Sequence, residues 1–216
     1  MRDAAPSVWY LRHSPTDAGW WRTAAYENDE HDDGDAIEQK DGAPLPAGWV
    51  WRSVETGHGI MRIEYTPPNA SAPPLWFVNV DEPKAEHPAT NLVAFATDDR
   101  EPGTIVSRYT FATMGVDNDA QVGAVRWYRS GVVHQIFVAP EWRQHGVATS
   151  IFIAASGFHQ SNGWPQYLRS DGRRTKLGSL LAAGFRYTRR VAILDQTMPP
   201  MDLPPGAAES NRTRRP

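Results

Sequence analysis

The chain contains no cysteine. That absence excludes disulfide staples, zinc–thiolate centres and a thiol nucleophile together. Long hydrophobic runs are missing too: the longest nearly apolar stretch, around 147–158, is far below the roughly 20 residues that a membrane-crossing helix needs. The amino terminus, Met1-Arg-Asp-Ala-Ala-Pro6, lacks the apolar core of a secretory leader. The seven histidines show no metal-ligand spacing such as His-Glu-x-x-His, and neither a Gly-x-Ser-x-Gly elbow nor a P-loop occurs. Asp29-Glu-His-Asp-Asp-Gly34 is similar to a calcium loop, but the twelfth position from Asp29 is Lys40 where that loop needs Glu. These absences predict a cytoplasmic protein with no metal and no membrane partner.

What is present suits one sizeable core with an elaboration: 216 residues, with 9 Trp and 18 Pro. Charge is divided unevenly. Residues 1–120 hold 9 Lys/Arg against 20 Asp/Glu, a net of −11, and residues 121–216 hold 13 against 5, a net of +8. A basic half suits a polyanionic ligand, while mutual neutralisation of the two halves explains the same numbers without one.

Patterning divides the chain further. Ser7–Arg12 is strand-like, and Asp17–Tyr26 is expected to start a helix with Thr16 or Asp17 as its cap. Glu27–Asp41 is strongly acidic and reads as an exposed loop. Trp49–Glu55 and Gly59–Tyr65 alternate as strands, with Gly57-His-Gly59 as a hairpin turn, and Leu75–Val80 is a further strand. Strands are then predicted over Leu92–Thr97, Thr104–Thr110, Val122–Arg129 and Val132–Val138. A helix is predicted over Trp142–His159, because Val147, Ile151, Ala154, Ala155 and Phe158 share one face and Ser161-Asn-Gly163 ends it. A short strand Gln166–Arg169, a helix Arg173–Ala183 capped by Gly184, and a strand Tyr187–Leu194 follow. From Thr197 the Pro-rich tail is expected to be disordered. This gives an N-terminal Trp/Pro-rich region over 1–85, a core over 86–196 and a basic tail over 197–216.

The segment that carries chemistry is Val138-Ala-Pro-Glu-Trp-Arg143-Gln-His-Gly146-Val-Ala148-Thr149, where a strand hands over to a helix. A helix start has N–H groups without intrahelical partners and a positive dipole end, so it can hold a phosphate. Arg143 adds a fixed cation, and Gly146 lets backbone approach closely. This strand–turn–helix resembles the acyl-CoA-binding motif of the GNAT acyltransferase superfamily, Gln/Arg-x-x-Gly-x-Gly/Ala, with Arg143, Gly146 and Ala148 in the three places. Leu180-Leu-Ala-Ala-Gly184-Phe185 is similar to the ending of that family's second core helix.

The resemblance implies an α/β fold with a GNAT-like mixed, mostly antiparallel sheet, splayed central strands and flanking helices. It also implies an N-acyltransferase that moves an acetyl or other acyl group from acyl-CoA to a primary amine. Acetyl-CoA, or another acyl-CoA, is the implied co-substrate. Phe137, Val138, Arg143, Gln144, His145, Gly146, Val147, Ala148 and Thr149 are its implied contacts, and Arg173 would touch the adenosine 3′-phosphate. The amide N–H groups near Phe137 and Val138 would polarise the thioester carbonyl.

Acid–base residues depart from the family pattern. Where many members have a Tyr four residues before the glycine, this chain has Leu180, so Tyr187 or Tyr167 is the expected substitute acid. No carboxylate lies in the strand that commonly carries the base, and His134 is the candidate there. Glu141 is read as a dipole partner of the helix start. Six tryptophans (20, 21, 49, 51, 76 and 127) fit either a core or an aromatic wall for a planar substrate.

The expected partners are a small-molecule or protein amine acceptor, and a second copy in a homodimer. Nucleic acid fits the basic half and is opposed by the acidic one. Two alternatives to amine acylation stand: a catalytically degenerate GNAT fold serving as a binding or structural module, and a GNAT-type enzyme modifying a nucleic-acid base.

Overall fold

A computed structural model of the chain describes residues 9–15, 21–27, 49–55, 60–184 and 196–197, with side chains at 51–53 and 60–184. Two units divide it, residues 1–168 and 169–216.

The first unit is a mixed α/β structure organised on one open sheet. Its elements are β1 (Trp9–Pro15), β2 (Trp21–Glu27), β3 (Trp49–Glu55), β4 (Met61–Tyr65), β5 (Trp76–Glu82), β6 (Ala89–Phe95), β7 (Thr104–Ser107), α1 (Arg108–Ala112), β8 (Gln121–Tyr128), β9 (Val132–Val138) and α2 (Val147–Ser161). Strands lie in the order β1-β2-β3-β4-β7-β5-β6-β8-β9. Every neighbouring pair is antiparallel except β5 and β7.

Two local readings give way in the structure. The helix expected from Asp17 is strand β2 over Trp21–Glu27, because antiparallel partners on both sides satisfy its backbone. The strand expected to run to Thr110 stops at Ser107, whose Oγ accepts from the Thr110 N–H and caps α1. β7 lies between β4 and β5. Gly103 holds that insertion: its N–H donates to Leu75 O at 2.6 Å and its carbonyl accepts from Ile63 N at 2.8 Å. With φ of +81° and its Cα against the Ile63 carbonyl, no other residue fits there without strain.

Alternation along the strands gives the sheet two faces. On one, Ile63, Phe77, Leu92, Val125 and Trp127 are buried, and α2 packs against β3, β4, β6, β8 and β9. The predicted α2 stripe is buried throughout, and Ser150, Phe152, Ser156, Gly157 and His159 are buried too. α2 is therefore enclosed on more than the one expected face. Small residues allow this. A Cβ on Gly157 would stand 3.0 Å from the Trp51 ring and 3.1 Å from Ile63. On the opposite face Trp76, Val78, Phe95 and Val106 form a second cluster covered by Phe111, Met114 and Val116.

The second unit holds β10 (Arg169–Ser170), β11 (Arg173–Arg174), α3 (Lys176–Ala183) and β12 (Gln196–Thr197), with β11 and β12 parallel. The helix expected from Arg173 begins at Lys176, since Thr175 Oγ1 accepts from the Gly178 N–H and fixes the start. Gly184 does end α3, but at φ −79° it is right-handed, so the glycine's special freedom is not used. The strand expected from Gln166 is confined to Arg169–Ser170; Gln166 itself is left-handed, with φ of 63°. The expected strand Tyr187–Leu194, the hairpin turn at 57–59 and the acidic segment 28–41 lie outside the described residues.

Candidate functional site

The junction between β9 and α2 is built by a turn. After Val138, Pro140–Trp142 forms a single 3₁₀ turn and Arg143 returns to extended backbone. Gln144 and Gly146 both take left-handed φ, 65° and 81°. The helix expected from Trp142 therefore starts only at Val147, with Gly146 as its N-cap. Glycine supplies no capping side chain, and none replaces it. The N–H groups of Val147, Ala148 and Thr149 thus stand at a helix start without a side-chain cap. His145 turns its Nδ1 to the Arg143 carbonyl at 2.8 Å.

Arg143 is half-buried, and its Nε donates to Val138 O at 3.1 Å. That bond fixes the turn as well as the cation. The Ala139 N–H donates to Val122 O on β8 at 3.0 Å. Alternation therefore puts the Phe137 N–H in the same ladder and turns that of Val138 away from β8. Of the two amides expected at a thioester, Val138 is the one directed outward from this pair.

Gly146 is constrained by the protein itself. A Cβ there would stand 2.8 Å from Pro68 Cγ and 3.2 Å from both Ala72 Cβ and Asn69 Nδ2. The close approach foreseen for a ligand is made by the loop between β4 and β5. Tyr65, at the end of β4, is half-buried; burial pushes its phenol up, partly offset by the Ser150 hydroxyl in the first turn of α2.

His134 is exposed, four residues before Val138 and about 13 Å away along the strand. It occupies a β-bulge: Arg126 pairs with Gln135 and Trp127 with Val133, leaving His134 without a partner on β8. Its ring lies 5.5 Å from that of Tyr128, and His87 meets Tyr128 edge-on at 5.4 Å. The Arg126 guanidinium lies 5.4 Å from the Tyr128 ring centroid. Arg126 Nη2 also donates to Glu82 Oε2 at 2.7 Å, while Asn91 Nδ2 donates to Glu82 Oε1 at 2.7 Å. The Arg126 hydrogen bond first, and that of Asn91 second, hold the Glu82 carboxyl below its ordinary range, with a smaller contribution from the His134 charge. Glu82, Asn91, Arg126 and Tyr128 were not readable as a set, because they come from three strands joined only by sheet register.

The remaining expected residues are distributed elsewhere. Arg173 belongs to the second unit, where its guanidinium donates to Asp171 Oδ2 at 2.7 Å (Nη2) and 2.9 Å (Nε). Burial pushes Asp171 up, but the Arg173 backbone N–H and guanidinium outweigh it and hold the carboxyl low. Tyr187 lies outside the described residues. Tyr167 is 38% exposed and Leu180 is 70% exposed. Glu141 is exposed in the 3₁₀ turn. Trp51, Trp76 and Trp127 are buried core residues; the other three side chains named as an aromatic wall lie outside the described set.

Compared with known proteins, the chain matches no family model, no curated protein and no solved structure. Among the described residues, no three or more His, Cys, Asp or Glu side chains are grouped to hold a metal ion. No helix among them is long and apolar enough to cross a membrane.

Proposed function

We propose that this chain is an acyl-CoA-dependent N-acyltransferase of the GNAT type, acting on a primary amine, with the splayed-strand sheet of that family. The observation that carries this reading is the β9–α2 junction. It combines an α2 start capped by glycine alone, a cation anchored at Arg143 and an outward amide at Val138. Those groups suit a pyrophosphate at the helix start and a carbonyl further along β9. The antiparallel row β5-β6-β8-β9 leading into α2 also suits such a core.

Arg143, Gln144, His145 and the amides from Gly146 to Thr149 would hold the pyrophosphate; Phe137 and Val138 would flank the pantetheine arm. When bound, acyl-CoA supplies an activated thioester. The acceptor nitrogen forms the new N–C bond as the C–S bond breaks, with its electron pair leaving on sulfur. The proton released by nitrogen would pass to His134 through bridging water, since the imidazole lies about 13 Å along the strand from Val138. Much of the rate would come from holding the two reactants together.

A second reading, a GNAT fold retained as a binding or structural module, is favoured by Gly146. Its need for glycine is met by Pro68, Asn69 and Ala72 without any ligand.

Thermal unfolding with and without acetyl-CoA separates the two, followed by an acetyl-transfer assay on an alkylamine, an aminoglycoside and a lysine peptide. At 100 times its dissociation constant the ligand adds about 2.7 kcal/mol. A rise in Tm that Arg143→Glu abolishes, with turnover of any amine, supports the enzyme. A rise without turnover supports the module. No rise at millimolar acetyl-CoA or a longer acyl-CoA ends the enzyme reading and leaves the module.

A further inference from the structure

We infer that Tyr128, held by Arg126 and Glu82, is the positioning residue for His134; the inference rests on the acyltransfer reading above only for the chemistry that His134 performs. Three features of the sheet converge on it. Register sets Val80, Asn91, Arg126 and Gln135 in one row across β5, β6, β8 and β9, and Glu82, Ala89 and Tyr128 in the next. Both rows lie on the face opposite α2. Ala89, small and fully buried between Glu82 and Tyr128, leaves space above the sheet for the Arg126 side chain to reach both.

The bulge then supplies the imidazole. A bulge leaves one residue outside the ladder, bends its strand and re-aims that side chain. Here the extra residue is His134, and its ring comes to rest against Tyr128. An exposed imidazole without such a neighbour samples several rotamers. Tyr128 limits that freedom, and Tyr128 is itself limited by the guanidinium on its ring and by His87 at its edge. The two oxygens of Glu82, which is itself held by the Asn91 amide, fix Arg126 in turn. The order is Asn91, Glu82, Arg126, Tyr128, His134, and only the last is exposed.

The test uses the full chain. Ring-proton resonances of His134 are followed by NMR in the wild type, Tyr128→Leu, Tyr128→Phe and Arg126→Met. In parallel, kcat and both KM values are measured with acetyl-CoA and the best amine of the panel. Tyr128→Leu is expected to move the His134 resonances, and Tyr128→Phe, which keeps the ring, to return them most of the way. Tyr128→Leu should lower kcat on the order of 10²-fold, leave the KM for acetyl-CoA unchanged, and cost nothing further once His134→Ala is present. Arg126→Met should shift the resonances less, in the same direction. His134 resonances unmoved by Tyr128→Leu, or losses that multiply in the double variant, would overturn the inference. A wild type that moves no acetyl group while Tyr128→Leu still shifts His134 removes the acyltransfer reading and leaves the positioning role standing.

Discussion

The Trp127 indole N–H donates to His159 Nδ1 at 3.1 Å, and both side chains are fully buried between β8 and α2. Indole nitrogen can only donate, so Nδ1 is the acceptor and the imidazole hydrogen sits on Nε2. That hydrogen is shared between Pro165 O at 3.1 Å and Gln166 O at 3.0 Å. Trp127→Phe keeps most of the packing and leaves Nδ1 without this donor. The expected loss is about 1–3 kcal/mol, read by urea unfolding. His159→Leu removes the imidazole from the indole N–H and from the Pro165 and Gln166 carbonyls together. A double-mutant cycle should show coupling between the two positions, and strict additivity would refute the bond's contribution.

Gly103 and Gly115 share a left-handed backbone, with φ of +81° and +70°, yet only Gly103 is crowded. An alanine at Gly115 meets nothing within 4 Å and should cost about 1–2 kcal/mol for its backbone alone. At Gly103 the same methyl also strikes the carbonyl of Ile63, the residue whose N–H donates to the Gly103 carbonyl at the junction of β4, β5 and β7. Gly103→Ala should therefore lose clearly more stability than Gly115→Ala in the same denaturant titration. Equal losses would mean that the junction yields.

Gly157 sets helix propensity against packing. Alanine in a helix interior gains about 1 kcal/mol over glycine, while overpacking a core costs about 1–3 kcal/mol. The neighbours here, Trp51 and Ile63, are 1% and 0% exposed and have no free side to move toward. Packing should win, so Gly157→Ala lowers Tm. A raised Tm would show that α2 can lift from β3 and β4.

Glu82 predicts an acid-sensitive contribution. Its carboxyl is held low by Arg126 first and Asn91 second. A depressed carboxylate contributes stability above its unfolded value, about 4.3, and loses it as pH falls through the folded value. Glu82→Gln should flatten the dependence of unfolding free energy on pH below about 4. At pH 7 it should cost under about 1 kcal/mol, because the pair is largely solvated. An unchanged acid limb would place the titration elsewhere.

The alternating runs of β3 to β6, β8 and β9 could be read directly, since side-chain direction in a strand follows from position alone. The α2 stripe from Val147 to Phe158 was readable for the same reason. β2 was not: Trp-Arg-Thr-Ala-Ala-Tyr has no decisive period, and pairing on both sides settled it. In the candidate site, the hand-over from β9 to a helix was legible because proline, arginine and glycine mark one locally, but the helix begins at Val147 and not at Trp142. Glu82, Asn91, Arg126 and Tyr128 carried no local mark.

The chain's own residues thus determined most of its strands, its lack of thiol chemistry and the presence of a helix after β9, all consequences of local geometry and residue type. Tertiary structure decided which strands became neighbours, how β7 came between β4 and β5, what lies against Gly146 and which ring His134 meets. Those outcomes depend on contacts between residues well separated in sequence, such as Asn91 with Glu82, His134 with Tyr128 and Gly146 with Pro68, Asn69 and Ala72. Backbone closure and burial select such contacts globally, and no local pattern in the sequence encodes them.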